Sequence, residues 1–165
     1  MRITIVGCGV IGSKLAKAAD EMDEVKRIYL IDLKKEKANK LAEGLNKAIV
    51  VDSVEDELYH CDLVIEAASQ TAAKDILTKT VGRGVDIMLM SVGALVNDDF
   101  REMVYDKAKN CDARIFIPSG ALFGTDGLRA ASQDDLSTVE LVSTSGPKSL
   151  ANIEYCEKLG IKVGD

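Results

Sequence analysis

The sequence predicts an α/β fold, a doubly wound parallel sheet of the Rossmann type, followed by the start of an incomplete α+β domain. Three observations predict it. Short apolar runs alternate with amphipathic helical stretches over residues 1–120, which is the pattern of βαβ units. A glycine-rich turn, Gly7–Gly12, joins the first apolar run to the first helical stretch. After Pro118 the alternation stops.

Six apolar runs predict the strands of the sheet, and turn residues or Pro118 end each run. In chain order they are Arg2–Val6, Ile28–Ile31, Ala48–Val51, Leu63–Ala67, Asp86–Met90 and Arg114–Ile117. The fourth run is apolar except for Glu66, as expected for a strand that is buried on both faces.

Helical spacing of apolar residues predicts the crossover helices between these strands. The first helix follows Gly12, and its predicted inner face is Ile11, Leu15, Ala18, Ala19 and Met22. The second is predicted over Lys35–Asn46, and Ser53 is predicted to cap a short third helix. Two more helices are predicted, one over Thr71–Val81 and one capped by Asn97.

The segment after Pro118 predicts the beginning of a second domain. It contains a short helical stretch at Leu128–Ala131, a predicted strand at Thr138–Thr144 and a predicted helix at Pro147–Leu159. One strand and one helix can hardly bury a core by themselves. We therefore expect one domain over residues 1–120, and a partial second domain over residues 121–165 that stops before it is finished.

Composition restricts the class of protein. The chain has 165 residues, 47% of them hydrophobic, and a net charge of −6 without a basic patch, which argues against nucleic acid and anionic membranes as partners. It contains no apolar run long enough to span a membrane and no basic leader, so we expect a cytoplasmic protein.

The cysteines and the single histidine predict no metal site. Cys8, Cys61, Cys111 and Cys156 are isolated from one another and from histidine, which favours reduced, buried thiols over zinc ligands or disulfides. His60 stands just before the fourth strand and is expected to be a surface loop residue.

The glycine turn has the spacing of a dinucleotide-binding fingerprint. Gly7, Gly9 and Gly12 follow a strand and open a helix, with Val10 and Ile11 between the last two. Glycines at these places allow a tight turn, close approach of a pyrophosphate and close packing of helix on strand. The helix N-terminus adds N–H groups and a positive dipole end. The residues expected to bind the dinucleotide are Gly7, Gly9, Val10, Ile11 and Gly12.

Asp32 ends the second strand and favours NAD over NADP. A carboxylate there accepts hydrogen bonds from the adenosine ribose hydroxyls and repels a 2′-phosphate. Lys34 and Lys35 follow at once and either could reach a phosphate, so use of both cofactors stays open, as does a purely solvated role for the two lysines.

Three loops of small residues follow the fourth, fifth and sixth strands, where an open parallel sheet binds its ligand. They are Ala67–Gln70, Ser91–Leu95 and Pro118–Ala121. Small side chains let a nicotinamide ring and its ribose approach the backbone. Ala67, Ala68 and Ser69 are therefore added to the expected cofactor site.

At these loops the sequence resembles L-aspartate dehydrogenase. The resemblance rests on Val64–Gln70, Met90–Leu95 and above all Ile117–Ala131, a segment that homoserine dehydrogenase does not share, and it extends to Gly146–Leu150. It implies that the glycine loop, Asp32 and Ala121 bind the dinucleotide and that Ala67–Gln70 face the nicotinamide. It also implies that residues 1–120 are an NAD(P)-binding Rossmann domain and residues 121–165 a partial substrate and dimerisation domain. Members of the family are homodimers that oxidise L-aspartate to iminoaspartate, which hydrolyses to oxaloacetate and ammonia and in some members feeds NAD biosynthesis.

One departure concerns catalysis. The family's active-site histidine lies in a His-Asn motif downstream of the Pro-Lys-Ser-Leu segment, and these 165 residues contain no such motif. No catalytic residue is carried over, and we expect the chain alone to be inactive. Arg129 and Lys148 either hold a substrate carboxylate or are surface charges. Two alternatives stay open: a non-catalytic NAD-binding module, and a dehydrogenase for another small acid or semialdehyde.

Overall fold

The computed structural model describes residues 1–120, 124–133, 135–142 and 144. The chain divides into two units, Met1–Phe123 and Gly124–Asp165. The first unit carries the sheet and the glycine loop, and the second carries one helix among its described residues. No helix of the described ranges is both long enough and apolar enough to cross a membrane.

The first unit is built on a six-stranded parallel sheet in the order β3-β2-β1-β4-β5-β6, so the predicted doubly wound fold is confirmed. The strands are β1 Arg2–Val6, β2 Arg27–Ile31, β3 Ala48–Val50, β4 Leu63–Glu66, β5 Asp86–Leu89 and β6 Ile115–Phe116. The strand order reverses between β1 and β4, which is the point where such sheets bind ligands.

Helices connect the strands on both faces of the sheet. They are α1 Val10–Glu21, α2 Lys35–Ala42, α3 Val54–Glu57, α4 Gln70–Val81 and α5 Asp98–Asn110, with a 3-10 helix at Val92–Leu95. Side chains cap three of them at the N-terminus: Ser53 accepts a hydrogen bond from the Asp56 amide, Ser69 from Ala72 and Asn97 from Phe100. The predicted caps at Ser53 and Asn97 are confirmed.

Alternation along the central strands supplies two separate cores. Ile3 and Ile5 of β1 belong to one core, which includes Ala16 of α1 and Ala38 of α2. The neighbouring Val6 belongs to the other core, with α3, α4 and α5. Burial on both faces explains why the strands read as continuous apolar runs.

The predicted inner face of α1 was right for Ala19, which is buried, and for Leu15, which packs against the core, but wrong for the rest. The buried residues of this helix are Gly12, Ala16 and Ala19, whereas Ile11 and Met22 are about half exposed. A Cβ on Gly12 would lie 1.8 Å from the carbonyl oxygen of Gly7, so the helix passes too close to the loop for a large side chain. Because α1 lies so close to the glycine loop, its small residues, and not its large apolar ones, face the sheet.

Several predicted elements end earlier in the structure. The second helix stops at Ala42 rather than Asn46, because the Asp20 carboxylate accepts hydrogen bonds from the backbone N–H groups of Asn46 and Lys47 and holds them in a loop. β3, β4 and β5 each end one residue before the predicted boundary, and β6 is reduced to Ile115–Phe116.

In the second unit, helix α6 spans Thr125–Ala131 and begins after Gly124, whose φ is +81°. The predicted strand Thr138–Thr144 was wrong: residues 138–142 and 144 form no strand, since no described segment pairs with them. Val139 and Leu141 are 57% and 69% exposed. The predicted helix Pro147–Leu159 and Ala121 lie outside the described residues.

Candidate functional site

The glycine loop lies at the carboxyl end of β1, at the centre of the sheet. Gly7 has φ +99°, and a Cβ there would lie 2.5 Å from the carbonyl oxygen of Ala67, so the first loop packs against the loop after β4. By contrast, a Cβ on Gly9 would meet nothing within 4 Å. The backbone at Gly9 therefore faces open space, and a pyrophosphate could approach it closely.

The N-terminus of α1 is suited to an anion. The first helical hydrogen bond runs from the Ser13 amide to the Gly9 carbonyl, so the amides of Val10, Ile11 and Gly12 precede it. The first turn contains no acidic side chain. Val10 is 76% exposed, which leaves this end of the helix accessible to a phosphate group.

Asp32 joins the loop after β1 to the loop after β2. Its Oδ2 accepts the backbone N–H of Cys8 at 2.8 Å, and its Oδ1 accepts that of Lys34 at 2.8 Å. A carboxylate has about four lone-pair positions, so two remain for ribose hydroxyls. The structure thus brings Asp32 to the glycine loop, as the fingerprint predicts.

A cleft of about 540 Å³ opens beside this loop, within the size range of small-molecule sites. It is lined by Asp32, Leu33 and Lys34 after β2 and by Ala68 and Ser69 after β4. The remaining site residues that line it are Gly7, Gly9 and Ala67. The fully exposed Leu33 offers a flat apolar surface to a ring system.

The lysines that line the cleft are Lys34, as the sequence analysis allowed, and Lys37 in place of Lys35. Lys35 forms an ion pair with Asp52. Lys37, which the sequence analysis did not single out, lines the cleft together with Lys34. Its position three residues after Lys34 places the two on adjacent turns of one helical face, a spacing that could have identified it.

Glu66 is the second residue that sequence reasoning missed. It ends β4, is fully buried, and accepts hydrogen bonds from the Ala68 amide and from both the amide and the hydroxyl of Ser91. The loops after β4 and β5 are therefore joined through one carboxylate. An acid inside an otherwise apolar strand was the available signal.

The thiols and the histidine of the described residues do not cluster into a metal site. Burial and the nearby charge of Asp32 raise the pKa of Cys8 to about 11, and burial raises the pKa of Cys61. Cys8, Cys61 and Cys111 are free thiols, and among the described residues no group of three metal-ligating side chains occurs. His60 is exposed and precedes β4, at the amino edge of the sheet.

Comparison with known proteins identifies a matching family and several relatives. The family described as "Homoserine dehydrogenase, NAD binding domain" matches residues 7–118. The L-aspartate dehydrogenase of Methanothermobacter thermautotrophicus is 40% identical over 151 residues, which cover 91% of this chain and 58% of that protein. The L-aspartate dehydrogenase of Methanosarcina acetivorans is 34% identical over 165 residues, covering 99% of this chain and 61% of that protein. The chain therefore spans 58–61% of the length of these curated relatives.

Solved structures support the fold. Aspartate dehydrogenase from Thermotoga maritima has a TM-score of 0.60 at 22% identity and covers 99% of this chain and 69% of its own. GenD2 from gentamicin A biosynthesis, solved in complex with NAD, has a TM-score of 0.62 at 15% identity, over 81% of this chain and 38% of its own. The predicted resemblance to L-aspartate dehydrogenase is confirmed by the curated relatives. The chain belongs to the family of NAD-binding domains that is described for homoserine dehydrogenase, and its cofactor is NAD.

Proposed function

We propose that this chain is the cofactor-binding half of an NAD-dependent L-aspartate dehydrogenase. The observation that carries the proposal is the convergence of the glycine loop, Asp32 and the Ala67–Ser69 loop on one cleft at the switch point of the sheet. The curated relatives named L-aspartate dehydrogenase support the choice of substrate.

Each loop at the carboxyl ends of the strands has a role in this proposal. The amides of the glycine loop and of the α1 N-terminus take the pyrophosphate, and Asp32 accepts the ribose hydroxyls with its remaining lone pairs. The loops after β4 and β5 receive the nicotinamide and its ribose. NAD, when bound, accepts a hydride from the carbon that bears the amino group of aspartate, leaving an imine that water hydrolyses to oxaloacetate and ammonia.

The described residues that line the cleft include no histidine. We propose that residues 121–165 begin the substrate and dimerisation domain, and that the family's catalytic histidine belongs to the part of the relatives that this chain does not match. The chain by itself then binds NAD, with Ala121 among its contacts, but does not oxidise aspartate.

We also infer the finer properties that the resemblance implies: a cytoplasmic homodimer that supplies iminoaspartate to NAD biosynthesis. NADP is proposed as a weaker second cofactor, because Lys34 and Lys37 line the cleft on the same side as Asp32. Their ammonium groups could offset part of the repulsion between the Asp32 carboxylate and a 2′-phosphate.

The test is a chimera in which this chain replaces the matching 151-residue region of the Methanothermobacter thermautotrophicus enzyme. We expect the chimera to form NADH from L-aspartate, and the 165-residue chain to bind NADH without forming it. Asp32→Ala in the chimera is expected to raise the KM for NAD.

A chimera that binds NADH but oxidises another small acid or a semialdehyde instead of aspartate would contradict the substrate. A chimera without any dehydrogenase activity, despite NADH binding, would favour a non-catalytic binding module.

A further inference from the structure

Glu66 is a buried carboxylate without a nearby countercharge. It is fully enclosed at the centre of the sheet, where it pairs in register with Val6 of β1 and Leu89 of β5. No ion pair to Glu66 occurs among the described residues. Burying such a charge is costly unless hydrogen bonds compensate it. An apolar side chain would suit the strand interior better, so the carboxylate must serve the residues that it contacts.

Among the described residues, the three groups that donate hydrogen bonds to Glu66 all belong to the loops after β4 and β5. Ala68 N donates to Oε1 at 2.8 Å, Ser91 N to Oε2 at 2.9 Å and Ser91 Oγ to Oε1 at 2.9 Å. Charge-assisted bonds of this kind are among the stronger ones in proteins. Glu66 and Ser91 are 25 residues apart in sequence, and their hydrogen bonds hold the loops after β4 and β5 together.

A second contact couples the same two loops. The side chain of Gln70, the first residue of α4, lies so close to Gly93 that a Cβ there would be 2.3 Å from its amide nitrogen. The 3-10 helix after β5 therefore packs on the start of α4. Hydrogen bonds at Glu66 and packing at Gly93 act on the same pair of segments.

Glu66 and Asp32 lie on either side of β1 in the strand order, Asp32 after β2 and Glu66 at the end of β4. Asp32 joins the loops after β1 and β2, on the side of the switch point where the fingerprint places the adenosine ribose. Glu66 joins the loops after β4 and β5, on the other side, over which the nicotinamide half of a dinucleotide extends.

We propose that Glu66 is a positioning residue that holds the Ala68 and Ser91 backbones in the arrangement that receives the nicotinamide half of the cofactor. The inference rests on the proposed function only in that a nicotinamide dinucleotide binds at this edge. It does not depend on the substrate.

The test compares two ligands that share the adenosine half. NADH contains the nicotinamide riboside, whereas ADP contains only adenosine and the two phosphates. In Glu66→Gln the amide NH₂ must face one of the three donors, so a bond is lost while the shape is kept. We expect NADH to bind about tenfold more weakly and ADP to change by less than about twofold.

Matched variants separate positioning from folding. Glu21→Gln makes the same substitution at the exposed C-terminal end of α1 and is expected to leave both affinities unchanged. Ser91→Ala removes one donor and is expected to weaken NADH about threefold. Its effect is expected to shrink in the Glu66→Gln background, because the two side chains act through one bond.

If Glu66→Gln does not fold, the Ser91→Ala variant tests the proposal instead. Its NADH affinity is the first measurement and its amide hydrogen exchange is the second. We expect faster exchange at Ala68 in this variant and unchanged exchange at Cys8 and Lys34, which Asp32 holds.

Wild-type NADH affinity in Glu66→Gln, or equal losses for NADH and ADP, would overturn the inference while leaving the proposed function intact. In the Ser91→Ala arm, unchanged NADH affinity with unchanged exchange at Ala68 would do the same. A wild-type chain that binds neither ligand would overturn both.

Discussion

The carboxylate of Asp32 accepts the backbone N–H of Cys8, inside the glycine loop, at 2.8 Å. The residue that the fingerprint assigns to the ribose therefore also fixes the loop assigned to the pyrophosphate. Removing its charge should affect the protein in two ways, through cofactor contact and through loop position.

Asp32→Asn is expected to weaken NADH binding and to lower the free energy of unfolding by about 1–2 kcal/mol, because the amide NH₂ cannot accept from one of the two backbone donors. Isothermal titration with NADH and urea unfolding measure the two effects. Asp32→Ser should in addition narrow the difference between the affinities for NAD and NADP. An unchanged ratio of the two affinities would contradict the cofactor role.

Gly12→Ala and Gly9→Ala form a matched pair with opposite expectations. The added methyl at position 12 would lie 1.8 Å from the Gly7 carbonyl oxygen, so we expect a loss of at least about 2 kcal/mol in the free energy of unfolding. At position 9 it meets nothing within 4 Å, so stability should change by less than about 0.5 kcal/mol.

NADH binding should nevertheless fall in Gly9→Ala, since the methyl enters the space that a pyrophosphate would use. Full NADH affinity in this folded variant would place the pyrophosphate elsewhere.

Lys37→Ala is expected to weaken NADP binding more than NAD binding, because Lys37 lines the cleft beside Lys34. Lys35→Ala is the control, since Lys35 pairs with Asp52. Competition of NADP against NADH gives both affinities, and raising the salt concentration should reduce the difference between the variants. A larger effect from Lys35→Ala would assign the phosphate-binding role to Lys35, one of the two lysines that the sequence analysis named.

The ion pair of Asp86 with Arg114 should make the free energy of unfolding fall in acid. The Arg114 guanidinium, which bonds its carboxylate, holds the pKa of Asp86 below its ordinary value. A depressed folded-state pKa contributes stability that is present above the unfolded value, about 4, and is lost as the pH falls through the folded value.

Asp86→Asn should therefore have a lower urea midpoint than wild type at pH 7, and the gap should close below about pH 4. Asp23→Asn, at an exposed site, is the control. A gap that persists undiminished at low pH would assign the effect to packing instead.

Local patterns predicted the fold well where packing followed them. Continuous apolar runs identified all six strands. The four inner strands are covered on both faces, whereas the edge strands β3 and β6 each expose one apolar residue, Ile49 and Phe116. The face of α1 was predicted only in part. Periodicity favoured the large residues Ile11 and Met22, whereas contact with the Gly7 carbonyl turns a stripe of small residues towards the sheet. Thr138–Thr144 was predicted as a strand from its alternation alone, and a strand also needs a hydrogen-bonded neighbour.

The sequence by itself determined the parallel sheet, the glycine loop and the place of Asp32 at the end of β2, since each depends on residues that are close in the chain. Only the tertiary structure decided that Asp32 holds Cys8, that Lys35 turns to Asp52 and Lys37 to the cleft, and that Glu66 joins Ala68 to Ser91. The bonds of Asp32 to Cys8, Lys35 to Asp52 and Glu66 to Ser91 link segments 17–25 residues apart. Such partners meet only after the strands have paired in register and brought their carboxyl ends to one edge.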